Sequence, residues 1–135
     1  MKKLFTYIAL VSILLLMYSC DMFDIHPYAG KIDGKQHINT ENIAKIEDNY
    51  ASRDTIRYAF ISDSQRWYDE LDDFVKIVNK RNDIDFIIHG GDISDFGLTK
   101  EFLWQRDILE KLKQPYVALL GNHDCLGNGE EIFEQ

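Results

Sequence analysis

Three short apolar runs, each closed by a polar cluster and spaced almost evenly, constrain this chain more than any other feature. Arg57–Ile61 ends at Ser62-Asp63, Ile84–His89 ends at Gly90-Gly91-Asp92, and Tyr116–Leu120 ends at Gly121-Asn122-His123-Asp124. Asp63 and Asp92 lie 29 positions apart, and Asp92 and Asn122 lie 30 apart. One strand-helix-strand unit takes about 30 residues. Each step therefore returns the chain to the same edge of a sheet. The runs are nearly all apolar instead of alternating, which is how strands buried on both faces of a parallel sheet read.

The stretches between the runs have helical spacing. Trp67 to Asn79 places Trp67, Leu71, Phe74, Val75 and Val78 on one face. Its acidic residues come early (Asp69, Glu70, Asp72, Asp73) and its basic ones late (Lys76, Lys80, Arg81), which complements the helix dipole. Thr99 is the expected cap of a second helix carrying Phe102, Leu109 and Leu112, stopped by Pro115. Strand, helix, strand, helix, strand is an α/β architecture with helices covering the sheet. The three polar clusters then meet at the carboxyl ends of parallel strands, where open α/β sheets bind ligands.

Bringing Asp63, Asp92 and Asp95 together has an electrostatic consequence. Carboxylates a few ångströms apart do not all stay ionised without a compensating proton or cation. Oxygen and imidazole donors at this density suit divalent Mn, Fe or Zn. Taken singly, Asp63 is ordinary cap or turn chemistry, Gly91-Asp92 and Gly121-Asn122 are ordinary turns, and a lone histidine is more often structural. The weight lies in the three clusters jointly.

Jointly, Asp63, the run Gly91-Asp92-Ile93-Ser94-Asp95 and the run Gly121-Asn122-His123-Asp124 resemble the first three motifs of calcineurin-like metallophosphoesterases. The match covers residues 56–124, about half of such a domain. The resemblance implies the first half, β-α-β-α-β, of an αββα sandwich. It implies that the residue matching Asp63 binds a first metal, Asp92 bridges two metals and Asn122 binds the second. It implies that His123 sits near the leaving-group oxygen, that Asp95 orients it and that Asp124 fills the acidic position after it. The implied reaction is hydrolysis of a phosphate mono- or diester, with two divalent ions (Mn, Fe or Zn) clamping the phosphate and activating a water.

Two departures from the family pattern stand out. The commonest opening motif is Asp-x-His, and Gln65 occupies the histidine position here. An amide oxygen is a weaker ligand for borderline-soft metals than imidazole. Further histidines, including a Gly-His-x-His motif, belong downstream in the family, and His26, His37 and His89 do not match them. The expectation is a domain truncated over residues 55–135, with an incomplete site and little activity of its own. The alternative is a non-catalytic envelope lipoprotein or binding module on the same fold.

The first 20 residues read as an export signal. Lys2 and Lys3 precede an apolar run from Leu4 to Met17, too short for a comfortable membrane span, and Ser19-Cys20 resembles a lipobox. Cys20 is the expected lipidation site, which places the mature chain on a bacterial envelope membrane; simple secretion and a retained anchor are the other readings. Residues 21–54, broken by Pro27, Gly30 and Gly34, read as a tether and N-terminal extension, with a short helix around Thr40 to Asp48. Without the first 20 residues, 13 basic residues face 23 acidic ones. Such a surface repels phosphate backbones, so nucleic-acid binding is not expected. Cys20 and Cys125 are the two cysteines, and they offer no disulfide framework.

Overall fold

The computed structural model describes residues 7, 8, 10–12, 26 and 28–135. Cys20 and most of the expected signal segment lie outside the described residues. Among the described residues no helix is long and apolar enough to cross a membrane. From Ile38 onward the described elements are, in chain order, α1 (Ile38–Tyr50), β1 (Tyr58–Ile61), α2 (Tyr68–Val78), β2 (Phe86–His89), α3 (Thr99–Leu109), β3 (Tyr116–Ala118) and α4 (Gly129–Phe133). The three strands form a parallel sheet in the order β1-β2-β3. This is the mixed α/β arrangement, with parallel strands, that the strand and helix spacing implies.

The register explains how the sheet is used. Ala59 pairs with Ile87 and Ile87 with Tyr116, while Phe60 pairs with Ile88 and Ile88 with Val117. Paired residues in neighbouring strands share a face. On the Ala59–Ile87–Tyr116 face, α2 and α3 bring down Leu71, Val78 and Leu109 to form one buried cluster. A second cluster joins Ile93, Phe102, Ala118 and Ile132. Each buried Leu, Ile, Val or Phe side chain contributes about 1.5–3 kcal/mol by leaving water. The opposite face is treated differently: Tyr58 and Phe60 are exposed, and Ile88 and Val117 are half-buried. The all-apolar strands thus alternate in burial, because the described helices cover one face alone.

Helix α2 carries Leu71, Val75 and Val78 into the core, but Trp67 lies before its first turn and is exposed. The start of α3 also differs from expectation. Its N-cap is Leu98, and the Glu101 side chain accepts the Phe96 and Leu98 N–H groups. Thr99 is the first helical residue, and its hydroxyl donates to the Ala29 carbonyl at 2.5 Å.

Much of the segment read as a tether is docked. Asn39 meets the free edge of β3 as a strand would: its side-chain amide donates to Ala118 O at 2.8 Å and accepts from Ala118 N at 2.9 Å. Asn42, buried, donates to Tyr116 O at 2.9 Å. Helix α1 therefore meets β3 through asparagines and the core through Ile38, while Ile43 faces solvent. Apolar periodicity missed this because the binding surface is a row of unpaired backbone groups, which asks for amides.

Candidate active site

The loops after β1, β2 and β3 converge at the carboxyl end of the sheet, and backbone bonds tie them together. Asp63 N–H donates to Gly91 O at 3.0 Å, and Gln65 N–H donates to Asp92 O at 3.1 Å. His123 N–H donates to Asp92 Oδ1 at 3.0 Å. Gly121 makes the approach possible, since a Cβ there would lie 2.1 Å from Asp92 Oδ1. Gly91 has φ +102°, and a Cβ on it would meet the Gly121 nitrogen at 2.5 Å. Two glycines thus let the second and third loops touch, backbone to backbone.

Asp63, Arg66 and Asp92 all adopt left-handed backbone, with φ of 57°, 69° and 55°. That region costs a non-glycine residue about 1–3 kcal/mol unless the surroundings impose it. Aspartate tolerates it better than most residues, and arginine has no such excuse. His37, before α1, shares this conformation, so three of the four left-handed non-glycine positions among the described residues fall in the loops after β1 and β2.

Asp124 supplies the rigidity. It is fully buried, and its two oxygens accept from Ile93 N, Ser94 N, Ser94 Oγ and Gly121 N at 2.7–3.1 Å. Both oxygens are committed to these donors, so Asp124 braces the 92–95 loop against the 121–124 loop from behind the site. Sequence reasoning grouped it with His123 and Asp95; its burial shows that it reaches the site through the backbone of its neighbours.

His123 is half-buried, and its Nδ1 lies 2.9 Å from the Asp95 main-chain oxygen. A carbonyl only accepts, so Nδ1 carries the proton and Nε2 is left for another partner. The hydrogen bond to Asp95 O and the nearby Asp92 and Asp95 carboxylates raise the pKa of His123, against opposing desolvation and the charge of Arg66. The Asp95 carboxylate stands farther off, at 3.7 Å from Nδ1. Arg66 holds it instead through two parallel bonds, Nε to Oδ2 at 2.7 Å and Nη2 to Oδ1 at 2.5 Å. That hydrogen-bonded pair keeps the Asp95 carboxyl below the usual range. Nothing in the sequence spacing singled out Arg66; only the tertiary approach of the first loop to the second reveals it.

His89 proves to be scaffold. Fully buried, it accepts the Gly91 N–H on Nδ1 at 3.2 Å. Nε2 must then be the protonated nitrogen and donates to Ser64 Oγ at 2.7 Å. The Ser64 hydroxyl donates to Gln105 Oε1 at 3.0 Å, and Gln105 Nε2 donates to Ser64 O at 2.7 Å. Burial lowers the His89 pKa, consistent with a neutral ring. This chain of bonds pins Ser64, and with it the flanking Asp63 and Gln65, to β2 and α3.

Among the described residues no group of three or more His, Cys, Asp or Glu side chains is gathered to hold a metal. The expected ligands are Asp63, Gln65, Asp92 and Asn122, of which two are carboxylates and two are amides. Gln65 Oε1 is nevertheless buried with no hydrogen-bond partner among the described residues. Leaving such an acceptor dry costs about 1–3 kcal/mol. An uncommitted amide oxygen two residues from Asp63 in the chain is of the donor type that suits a divalent cation.

The sequence model of the calcineurin-like phosphoesterases matches residues 56–135, more than half of the chain and the stretch that holds all three loops. The chain belongs to the calcineurin-like phosphoesterase family. Members of this family are generally metal-dependent. A protein of Xenorhabdus bovienii named "Probable cyclic nucleotide phosphodiesterase" is 26% identical over 88 residues, covering 65% of this phosphoesterase chain. The chain matches 36% of the length of that relative. No solved structure matches.

Proposed function

We propose that this phosphoesterase chain contributes the front half of a metal-dependent site that hydrolyses a phosphate mono- or diester. The observation that carries the reading is the convergence of the three loops, with Asp92 Oδ1 bonded to the His123 backbone and the Gln65 oxygen buried without a partner. Asp63, Gln65, Asp92 and Asn122 would hold divalent ions of the Mn, Fe or Zn kind. Such ions, when bound, supply positive charge to the phosphoryl oxygens and acidify a water. Asp92, bonded to both neighbouring loops, would be one of the residues that hold them. His123 keeps its Nδ1 proton on Asp95 O and leaves Nε2 for the leaving-group oxygen.

The test is an assay with bis(4-nitrophenyl) phosphate and manganese, run alongside a cyclic nucleotide because of the relative's name. The 135 residues alone are expected to turn over poorly, because four donors, two of them neutral amides, must serve two ions. A longer chain carrying the family's downstream histidines is expected to be active and to lose activity in Asp92→Ala. Gln65→His is expected to tighten manganese binding measured by calorimetry. Robust turnover by the 135 residues would refute the incomplete-site reading. A longer chain that neither binds manganese nor hydrolyses either substrate favours the second reading, a binding module, to which the shortage of acidic and imidazole donors points.

We also propose that Cys20 anchors the chain to an envelope membrane, from Lys2, Lys3, the apolar run and Ser19-Cys20. Labelling with a fatty-acid analogue should tag the protein and fail in Cys20→Ser. Untagged wild-type protein in the medium would overturn the proposal.

A further inference from the structure

We propose that His89 is a positioning residue whose single ring holds in register the two loops that carry the expected metal ligands Asp63, Gln65 and Asp92. The inference rests on the reading of those three residues as groups that hold divalent ions. His89 is the last residue of β2, and each of its ring nitrogens serves a different loop. Nδ1 accepts the N–H of Gly91, the residue before Asp92, at 3.2 Å. Nε2 donates at 2.7 Å to the hydroxyl of Ser64, which stands between Asp63 and Gln65. A neutral imidazole offers one acceptor and one donor, so it closes both bonds in one tautomer alone.

The surroundings fix that tautomer. The Ser64 hydroxyl accepts from the ring because its own hydrogen goes to Gln105 Oε1, and the Gln105 amide is oriented by the bond from its Nε2 to Ser64 O. Gln105 belongs to α3, a helix that carries none of the expected ligands, so the ring is buttressed from outside the site. His89 and Gln105 are 0% exposed and Ser64 is 7% exposed, so water does not substitute for these bonds. The preceding inward position of β2 is apolar Ile87. A polar ring at the next inward position is costly to bury unless it is bonded. Asp63 and Asp92, each adjacent in the chain to a residue that the ring holds, both have left-handed backbone, with φ of 57° and 55°. That conformation persists only where the surroundings impose it. The loops also touch directly, through Asp63 N–H to Gly91 O and Gln65 N–H to Asp92 O, at 3.0 and 3.1 Å. Those two bonds report on whether the loops stay in register.

A bonding ring and a space-filling one differ in what their replacements do. The experiment measures amide exchange at Asp63, Gln65 and Gly91 in the 135-residue chain, with the amides of α2 as the folding control. His89→Phe keeps a ring in the core and removes both bonds, and exchange at all three amides should rise about tenfold, the effect of a lost buried hydrogen bond. His89→Asn keeps an oxygen where Nδ1 stands, so Gly91 should stay protected while Asp63 and Gln65 exchange faster. Ser64→Ala cuts the same link from the other side and should give the same pattern. Wild-type rates in His89→Phe overturn the proposal, and so does a Ser64→Ala chain in which Asp63 and Gln65 stay as slow as in wild type. If His89→Phe does not fold, His89→Asn and Ser64→Ala give the same decision. Manganese, followed by its broadening of the loop amides, probes the metal reading separately, and Ser64→Ala should bind it about tenfold more weakly than wild type. The expected exchange changes in a chain that binds no manganese would sink the metal reading and keep the role of the ring in holding the loops. Manganese bound equally by wild type, His89→Phe and Ser64→Ala would overturn the proposal and leave the metal reading standing.

Discussion

The two faces of the sheet are built from the same kind of residue and treated in opposite ways. Ile87, Tyr116 and Ala118 point into helices α2, α3 and α4 and are buried, while Tyr58 and Phe60, one register step away, are exposed. Tyr58 stacks on Phe86 with ring centroids 5.6 Å apart, so the uncovered face makes aromatic contacts within its own surface. The difference teaches that strand composition records what a sheet is built to bury, whereas burial records what the described residues cover. Exposed Tyr58, Phe60 and Leu119 make this face the molecule's apolar surface of interest, since patches of that kind mark contact with another layer or partner.

The largest effect is expected on the covered face. Ile87 is completely buried between the neighbouring strands and helices, and Ile87→Ala should cost about 2–5 kcal/mol through lost transfer and a residual cavity. Chemical denaturation measures this, and a loss below the cost of a surface substitution would break the contrast between the faces. An intermediate effect is expected at the edge of β3. Asn39→Leu keeps the volume but strands the Ala118 N–H and C=O, which should cost about 1–3 kcal/mol and raise amide exchange at Ala118. Unaltered exchange there would show that the β3 edge does not depend on α1. The smallest change in stability is expected on the uncovered face. Phe60, whose ring rests over Gly90, should tolerate Phe60→Ser within about 1 kcal/mol while self-association falls. A large loss of stability in that variant would mean that the aromatic face is already part of the core.

The site repeats the contrast on a smaller scale. That the loops carrying Asp63, Asp92, Asn122 and His123 meet at one sheet edge was legible because strand ends recur at a near-constant spacing and carry polar residues that turns alone do not require. Gln65 was legible as a departure from Asp-x-His, and its buried unpaired oxygen gives that departure a physical cost. Arg66, Ser64 and Gln105 were not legible. Their partners lie 25–41 positions away, and no local pattern distinguishes an arginine that clamps a carboxylate from one that faces water.

The order of strands and helices, the gathering of three loops at one sheet edge and the family were determined by the sequence alone. Apolar periodicity and strand spacing are properties of the chain read in one dimension. Which face is covered, which amides close the β3 edge, and which acceptor on Asp95 holds His123 were decided by tertiary structure. Those outcomes depend on distances between groups far apart in the chain, where a difference such as 2.9 against 3.7 Å selects the partner. Hydrogen bonds weaken steeply over that interval, and the sequence carries no record of it.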